Sequence, residues 1–335
     1  MKLKKLCIFF LGALLAVALA ACSKQNNSSQ ERGNSLTVWM EDNGKIKVLS
    51  TVRMIDDLVG EIGKERVDRL TLIHGEIDPH SYEMVKGDDE KISFAQVIFY
   101  NGLGLEHGAS LSHRLQKHPN AMAVAEAVRN LYPERILKRG GQVDPHVWMD
   151  ISLWKETIDP IVAALTAVSP KDGEFFHANG ESLKARMLAV HEEIGQIMNK
   201  VPEDKRFLVT SHDSFHYFAR AYLADSENGQ WQQRFIAPEG LAPEAQISPA
   251  DIQAVIDYLF HHRVNIVFSE SNMSRDALRK IVEASSKKGL KVEIAEAYLH
   301  SDAMGEQGTE TGTYLGMMRH NAQIMADAWT KKKEE

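Results

Sequence analysis

Hydrophobic positions along this chain change period as the sequence advances. From Ile46 onward, short runs rich in β-branched and aromatic residues stand at 46–51 (IKVLST), 67–73 (VDRLTLI) and 97–100 (VIFY), with longer stretches between them. Between the first two, Met54, Ile55, Leu58, Val59 and Ile62 recur at the spacing of one helical face. Strands alternating with helices predict an α/β fold with mostly parallel sheets. The alternation restarts after Arg206, with strands expected at 207–210 (FLVT), 264–269 (VNIVFS) and 291–295 (KVEIA) and a helix over 250–261. Two Rossmann-like α/β lobes follow from that repetition. Between them, Phe175, Phe176, Leu183, Met187, Val190, Ile194, Ile197 and Met198 mark an amphipathic segment bounded by Pro170 and Pro202. As one continuous helix it would span roughly 45 Å at 1.5 Å per residue, long enough to run along both lobes. The expected organisation is an N-terminal lobe over 45–169, a single long linking helix over 170–202 and a C-terminal lobe over 203–330.

The start of the chain sets the compartment. Lys2, Lys4 and Lys5 precede an apolar run over 6–21 that is too short and wrongly flanked for a stable membrane span, so residues 1–21 read as a secretory signal peptide. The run closes on Leu19-Ala20-Ala21-Cys22, which resembles the lipobox of bacterial lipoproteins, in which the cysteine becomes the lipidated first residue of the mature chain. Residues 22–44 are polar and rich in Asn, Ser and Gly, a composition expected of a flexible tether. An extracytoplasmic protein held to the membrane by lipid, in the periplasm or at the cell surface, is therefore expected. Residues 1–21 carry three lysines and no acid, so the net charge of -7 becomes -10 once they are removed. That balance excludes nucleic acid as a partner. The two cysteines are Cys7, in the signal, and Cys22, which leaves the mature domain without a thiolate for metal or disulfide.

The chemistry begins with a repeated tripeptide. Asp78-Pro79-His80 and Asp144-Pro145-His146 each present a histidine from a turn whose geometry proline restricts, so little orientational freedom is lost on ligation. Each histidine is followed two positions on by an aromatic residue, Tyr82 or Trp148. Open parallel sheets bind ligands beyond the carboxyl ends of their strands. FLVT runs directly into Ser211-His212, and KVEIA is followed by Ser301-Asp302. His80, His146, His212 and Asp302 are thus candidate metal ligands from both lobes. His216, one helical turn from His212, is assigned to packing or support, and Glu270, at the end of VNIVFS, to orienting a ligand or replacing one. No catalytic residue and no organic cofactor are indicated.

These residues resemble the metal-binding solute-binding lipoproteins of ABC transporters, the zinc, manganese and iron periplasmic binding proteins. The resemblance spans the mature chain and rests on the paired DPH turns, VIFYNGLGLE (97–106), TSHDSFHYFA (210–219), PEGLAPEAQISPADI (238–252), SDAMGEQG and YLGMMRHN. GEIDPHSYEMVKGDD and YNGLGLEHGASL are most similar to the chlamydial branch. The family pattern carries metal ligands to His80, His146, His212 and Asp302, with His212 standing where other members have glutamate. Ser301-Asp302-Ala303 departs from the common Thr-Asp-Ser. The resemblance implies two lobes joined by one long helix, one bound transition-metal ion as cargo and an ABC permease as partner, with the chain acting as a monomer.

Three imidazoles and a carboxylate suit zinc in a tetrahedral arrangement and manganese or iron(II) when the aspartate binds through both oxygens. No histidine-rich acidic loop occurs, which tilts the expectation toward manganese or iron. Two other classes fit the sequence less well. A zinc hydrolase needs an open coordination position and a general base, but HEEIG at 191–195 lacks the second histidine of HExxH. A surface adhesin has no specific motif behind it.

Overall fold

The computed structural model describes residues 37–224, 229–241 and 247–331. Residues 37–39 form a helical turn before the first strand, whereas the signal segment and Cys22 lie outside the described residues. Among the described residues no helix is long and apolar enough to cross a membrane.

The N-terminal half opens with β1 (Ile46–Ser50), α1 (Arg53–Gly63), β2 (Val67–Thr71), α2 (Asp88–Phe94), β3 (Val97–Tyr100), α3 (Ala109–Lys117) and β4 (Ala121–Ala123). Its four strands form one parallel sheet in the order β2-β1-β3-β4. All five residues of β1 are buried, as a central strand covered on both faces requires. On α1, Met54, Ile55, Leu58, Val59 and Ile62 form the buried stripe that their spacing predicts. After α4 (Glu126–Leu131), a two-residue hairpin pair, β5 (Lys138–Arg139) and β6 (Gln142–Val143), leads into the second DPH turn. The short helix α5 (Ile151–Trp154) and α6 (Ile158–Val168) follow.

The linking helix, α7, runs from Gly173 to Asn199, preceded by a 3-10 turn over Pro170–Asp172. It is shorter than the bounding prolines suggest, because the first three residues take the tighter turn. Its 27 residues extend about 40 Å at 1.5 Å per residue. Phe176, Gly180, Leu183, Met187, Val190, Ile194 and Met198 form its buried stripe, which meets α1 and α6 from the N-terminal half and the last helix of the chain.

The C-terminal half contains β7 (Leu208–Val209), α8 (His216–Phe218, continued as a π-helical turn over Ala219–Leu223), β8 (Phe235–Ile236), α9 (Pro249–His262), β9 (Ile266–Val267), α10 (Asp276–Lys287), β10 (Glu293–Ile294) and α11 (Tyr314–Thr330). The regular strands are only two residues long, far shorter than the apolar runs that announce them. β7 pairs with β8 and β9 with β10, all parallel, and a bond from Phe268 N to Val209 O (2.9 Å) joins the two pairs. The resulting order, β8-β7-β9-β10, repeats that of the N-terminal sheet. Single bridges prolong it, His212 to Glu239 and Glu270 to Leu299, so pairing continues to the residues that matter chemically. Val209, Val255, Leu259, Val267, Leu278 and Ile281 form the core beneath it. Ser248 and Asp251 close a capping box on α9, with Pro249 in its first turn.

Two glycines of α7 separate packing from propensity. A Cβ on Gly180 would stand 2.8 Å from Val162 Cγ2 and 3.1 Å from Ile158 Cγ2, whereas one on Gly195 would meet nothing within 4 Å. Gly180 thus lets α6 approach closely. Gly180→Leu is expected to destabilise the protein by about 1–3 kcal/mol through overpacking, and Gly195→Ala to stabilise it by about 0.5–1 kcal/mol. Urea denaturation checks both; equal effects at the two positions would contradict the packing assigned to α7.

Candidate metal centre

Both DPH turns fold the same way. His80 N donates to Asp78 Oδ1 (2.9 Å) and His146 N to Asp144 Oδ1 (3.0 Å), closing matched Asx turns around the prolines. The first turn follows β2; its Asp78 also accepts from Ser81 Oγ at 2.8 Å. The second is held where β3 ends, because Asn101 Nδ2 donates to Pro145 O at 3.1 Å. Nearby, buried Glu106 accepts from Thr51 Oγ1 (2.7 Å), Asn101 N (2.7 Å) and Gly102 N (3.1 Å), tying the ends of β1 and β3 together. Burial raises the Glu106 pKa, against the pull of these donors.

In the C-terminal half, His212 extends β7 and Asp302 lies in the segment between β10 and α11. All four side chains are buried, and each offers one ligand atom to a group lying within 4.8 Å of one another. His80 Nε2 is 3.2 Å from His146 Nε2 and 3.6 Å from Asp302 Oδ2. His146 Nε2 is 3.4 Å from Asp302 Oδ1, and His212 Nε2 is 3.1 Å from Asp302 Oδ2. Metal–ligand bonds of about 2.1 Å in a tetrahedron place neighbouring ligand atoms about 3.4 Å apart, and these separations straddle that value. Both carboxylate oxygens of Asp302 face imidazoles, so the group can bind through one oxygen or two.

Buried polar atoms are normally hydrogen-bonded. Among the described residues, neither Asp302 oxygen nor either ring nitrogen of His212 has a hydrogen bond of good geometry, although their charged partners stand at ion-pair distance. Unmet capacity at both Asp302 oxygens and at His212 Nε2, which converge with the other two imidazoles, fits a cation held between them.

Two of the rings are oriented by carboxylates. His146 Nδ1 donates to Asp144 Oδ1 at 2.8 Å, because a carboxylate accepts, which leaves Nε2 with its lone pair toward the cluster. His212 Nδ1 lies 2.6 Å from Glu270 Oε2. Glu270 also accepts from Ser211 N (2.9 Å), His212 N (3.0 Å) and Ser214 Oγ (3.2 Å), and so fixes the ring and the turn that carries it.

Electrostatics differ from one ligand to the next. Burial lowers the His80 pKa, only partly countered by Asp302. Burial would lower His212 as well, but Glu270 and Asp302 outweigh it and hold the imidazole well above its usual value. Asp302 is pulled well below the carboxylate range because the charges of His212 and His146 overcome its burial. Glu270 is lowered in the same way by His212. Glu239, bridged to His212 through the backbone, is pushed up to about 7 by burial, with His212 opposing and Glu270 adding to the shift.

The four residues singled out by the turns and strand ends are thus brought together. His216 is not among them: its Nε2 lies 3.4 Å from Asp213 Oδ1, and its ring packs edge-on against Phe235 at 4.7 Å between centroids. Glu270 takes no place in the cluster as a ligand atom but supports His212. Asp144 is the residue that sequence reasoning missed. Its tripeptide matches that of Asp78, and only the buried position of the second turn brings its carboxylate to the ring. Trp148 gains a further role, since its Nε1 donates to Ser301 O at 3.0 Å, beside Asp302.

Comparison with known proteins agrees with this arrangement. The chain is 38% identical over 314 residues to the metal-binding protein YtgA of Chlamydia trachomatis, covering 93% of each. It is 33% identical to the manganese-binding lipoprotein MntA of Bacillus subtilis, over 85% of this chain and 90% of that one. The crystal structure of Fe(III)-bound YtgA from Chlamydia trachomatis superposes with a TM-score of 0.80 over 87% of this chain and 100% of that chain, at 38% identity. The periplasmic zinc-binding protein TroA of Treponema pallidum gives 0.78 over 86% of this chain and 100% of that chain, at 29% identity. Residues 48–328 match the family described as the periplasmic component A of zinc-uptake complexes, ZnuA, and the chain belongs to that family.

Proposed function

We propose that this chain is the extracytoplasmic solute-binding component of an ABC transporter, which captures one transition-metal ion with His80, His146, His212 and Asp302 and delivers it to a permease. The observation that carries the reading is the convergence of four buried donors within 4.8 Å, with both Asp302 oxygens lacking a good hydrogen bond. The relatives named for manganese, zinc and iron support a transition metal as the cargo. In this reading residues 45–169 and 203–330 are the two lobes, 170–202 links them, and Cys22 carries the lipid that keeps a monomeric carrier beside its permease.

Catalysis has little support at this centre. Four protein ligands fill a tetrahedral shell, whereas hydrolytic zinc sites keep a position open for water. Glu270, the one candidate base, has its oxygens committed to His212, Ser211 and Ser214.

Charge supports iron among the three metals. Asp302 lies in the ligand group, while Asp144 and Glu270 touch two of its rings. Three carboxylates with neutral imidazoles leave a divalent complex one charge negative and balance a trivalent one, which matters where the dielectric is low. After competition among manganese, iron and zinc, elemental analysis is expected to find iron retained over manganese; manganese retained over iron would contradict this charge argument.

Ligand removal tests the centre itself. At an ion concentration 1,000 times the Kd, binding stabilises the folded state by about 4 kcal/mol, and His80→Ala or His146→Ala should abolish that gain in thermal melts. An undiminished gain in either variant would remove that histidine from the ligand set.

Protons give a second check. Because Glu270 and Asp302 hold His212 well above its usual pKa, it keeps a proton to higher pH than a free imidazole does, and ligation must displace that proton. Affinity should rise as pH climbs through the raised His212 pKa and fall as pH drops. Calorimetry in buffers of different ionisation enthalpy should register proton release on binding, growing as pH falls. No release, with affinity flat from pH 8 to 5, would contradict histidine ligation.

A further inference from the structure

Asp302 belongs to the C-terminal half by sequence, yet the segment that carries it is fastened to the N-terminal half. Ser301 O accepts from Trp148 Nε1 at 3.0 Å. Beyond Asp302 the chain runs through buried Ala303 and Met304 into a narrow loop, whose neck is closed by Gly305 N donating to Thr311 O at 2.9 Å and whose tip, residues 306–310, is exposed. Arg53, the first residue of α1, grips both sides of that neck: Nη1 donates to Gly305 O and Nη2 to Gly312 O at 3.1 Å. One turn along α1, Asp57 Oδ2 accepts from Tyr314 N at 2.9 Å, and Tyr314 Oη donates to Trp148 O at 2.6 Å. Side chains at Gly305 and Gly312 would collide with Thr311 and with Glu306 O, so the neck tolerates only this tight course.

Arg53 and the start of the strap also border a surface depression that reaches Asp302. A small surface cleft of about 10 Å³, room for about one water, is lined by Arg53, Ile73, Ile77, Asp302 and Met304, with no other member of the ligand group in its wall. Its walls come from α1 and the segment after β2 on one side and from the Asp302 strap on the other.

We propose that Arg53 is a positioning residue for metal exchange: its paired bonds hold the 301–313 strap, and with it Asp302, closed over the site, so that breaking them opens the cleft through which the ion passes. This rests on the metal-carrier reading above. The planar guanidinium suits the task, since it offers two fixed donors to two carbonyls on opposite sides of the neck, whereas a lysine ammonium is a point charge that satisfies one such geometry less well. A latch of this kind affects passage in both directions. It therefore sets both rates of exchange and affects the equilibrium less, in contrast to a ligand, whose loss raises the release rate alone.

The test is stopped-flow exchange of zinc on the full mature chain, with uptake followed directly and release followed in excess EDTA. Arg53→Gln should raise the release rate at least tenfold and the uptake rate with it, at an unchanged stoichiometry of one ion per chain, and Arg53→Lys should fall between it and the parent. Gly180→Leu, destabilised away from the strap, should leave both rates near those of the parent and so separates general destabilisation from a latch. Asp57→Ala, which frees the strap at Tyr314 and leaves Arg53 intact, should accelerate both rates by a smaller factor and decides the matter if Arg53→Gln does not fold. Release within twofold of the parent in whichever of these variants folds, or faster release without faster uptake, overturns the latch. A parent chain that binds no zinc overturns the carrier reading along with it, whereas normal binding with unchanged rates overturns the latch alone.

Discussion

Everything in this molecule turns on holding three imidazole nitrogens and a carboxylate against one another in a place without solvent. Two Nε2 atoms 3.2 Å apart need a proton or a cation between them, because two facing lone pairs would repel where the surroundings offer little screening. A metal ion takes the place of that shared proton and is ligated by both rings. Asp302 and Glu270 hold the His212 pKa well above its usual value and so favour a proton there when no ion is bound. The centre therefore exchanges one positive charge for another. It never sits as an uncompensated cluster of carboxylates.

The fold meets this demand by building the same strand order twice and ending both sets of strands at the site. Each half supplies two donors: His80 and His146 from turns beyond the first sheet, His212 and Asp302 from the ends of the second. Contacts between the halves then fix their separation. Tyr217 Oη donates to Asp144 O at 3.2 Å, behind His146, while Trp148 holds Ser301 beside Asp302. The long helix α7 runs past both halves with a continuous buried stripe, which favours small displacements over wide opening. Ligand geometry here depends on residues that never touch the ion, as oriented metal sites commonly do.

Much of this was legible in the sequence, for reasons that can be named. The twin DPH turns gave away His80 and His146 because proline writes a local constraint that needs no tertiary context. His212 and Asp302 could be read from topology, since each follows an apolar run that ends a strand. The long helix showed itself through a buried stripe at three- and four-residue intervals. The strands of the C-terminal half are shorter than their apolar runs predict, because apolar residues such as Val264 and Val292 serve the core outside the regular strands. Asp144 escaped because its tripeptide is the same as that of Asp78, and burial alone distinguishes them. The grip of Arg53 on Gly305 joins residues 252 positions apart, and no local pattern encodes a contact at that range.

The account stands or falls on what surrounds the ion. An X-ray absorption spectrum of the metal-loaded protein at the metal edge reads the coordinating atoms directly. Three imidazole nitrogens and a carboxylate at about 2.0–2.2 Å, with the outer-ring scattering of imidazole, are the expected shell. A shell made of oxygen alone, or one with fewer than three imidazoles, would contradict it.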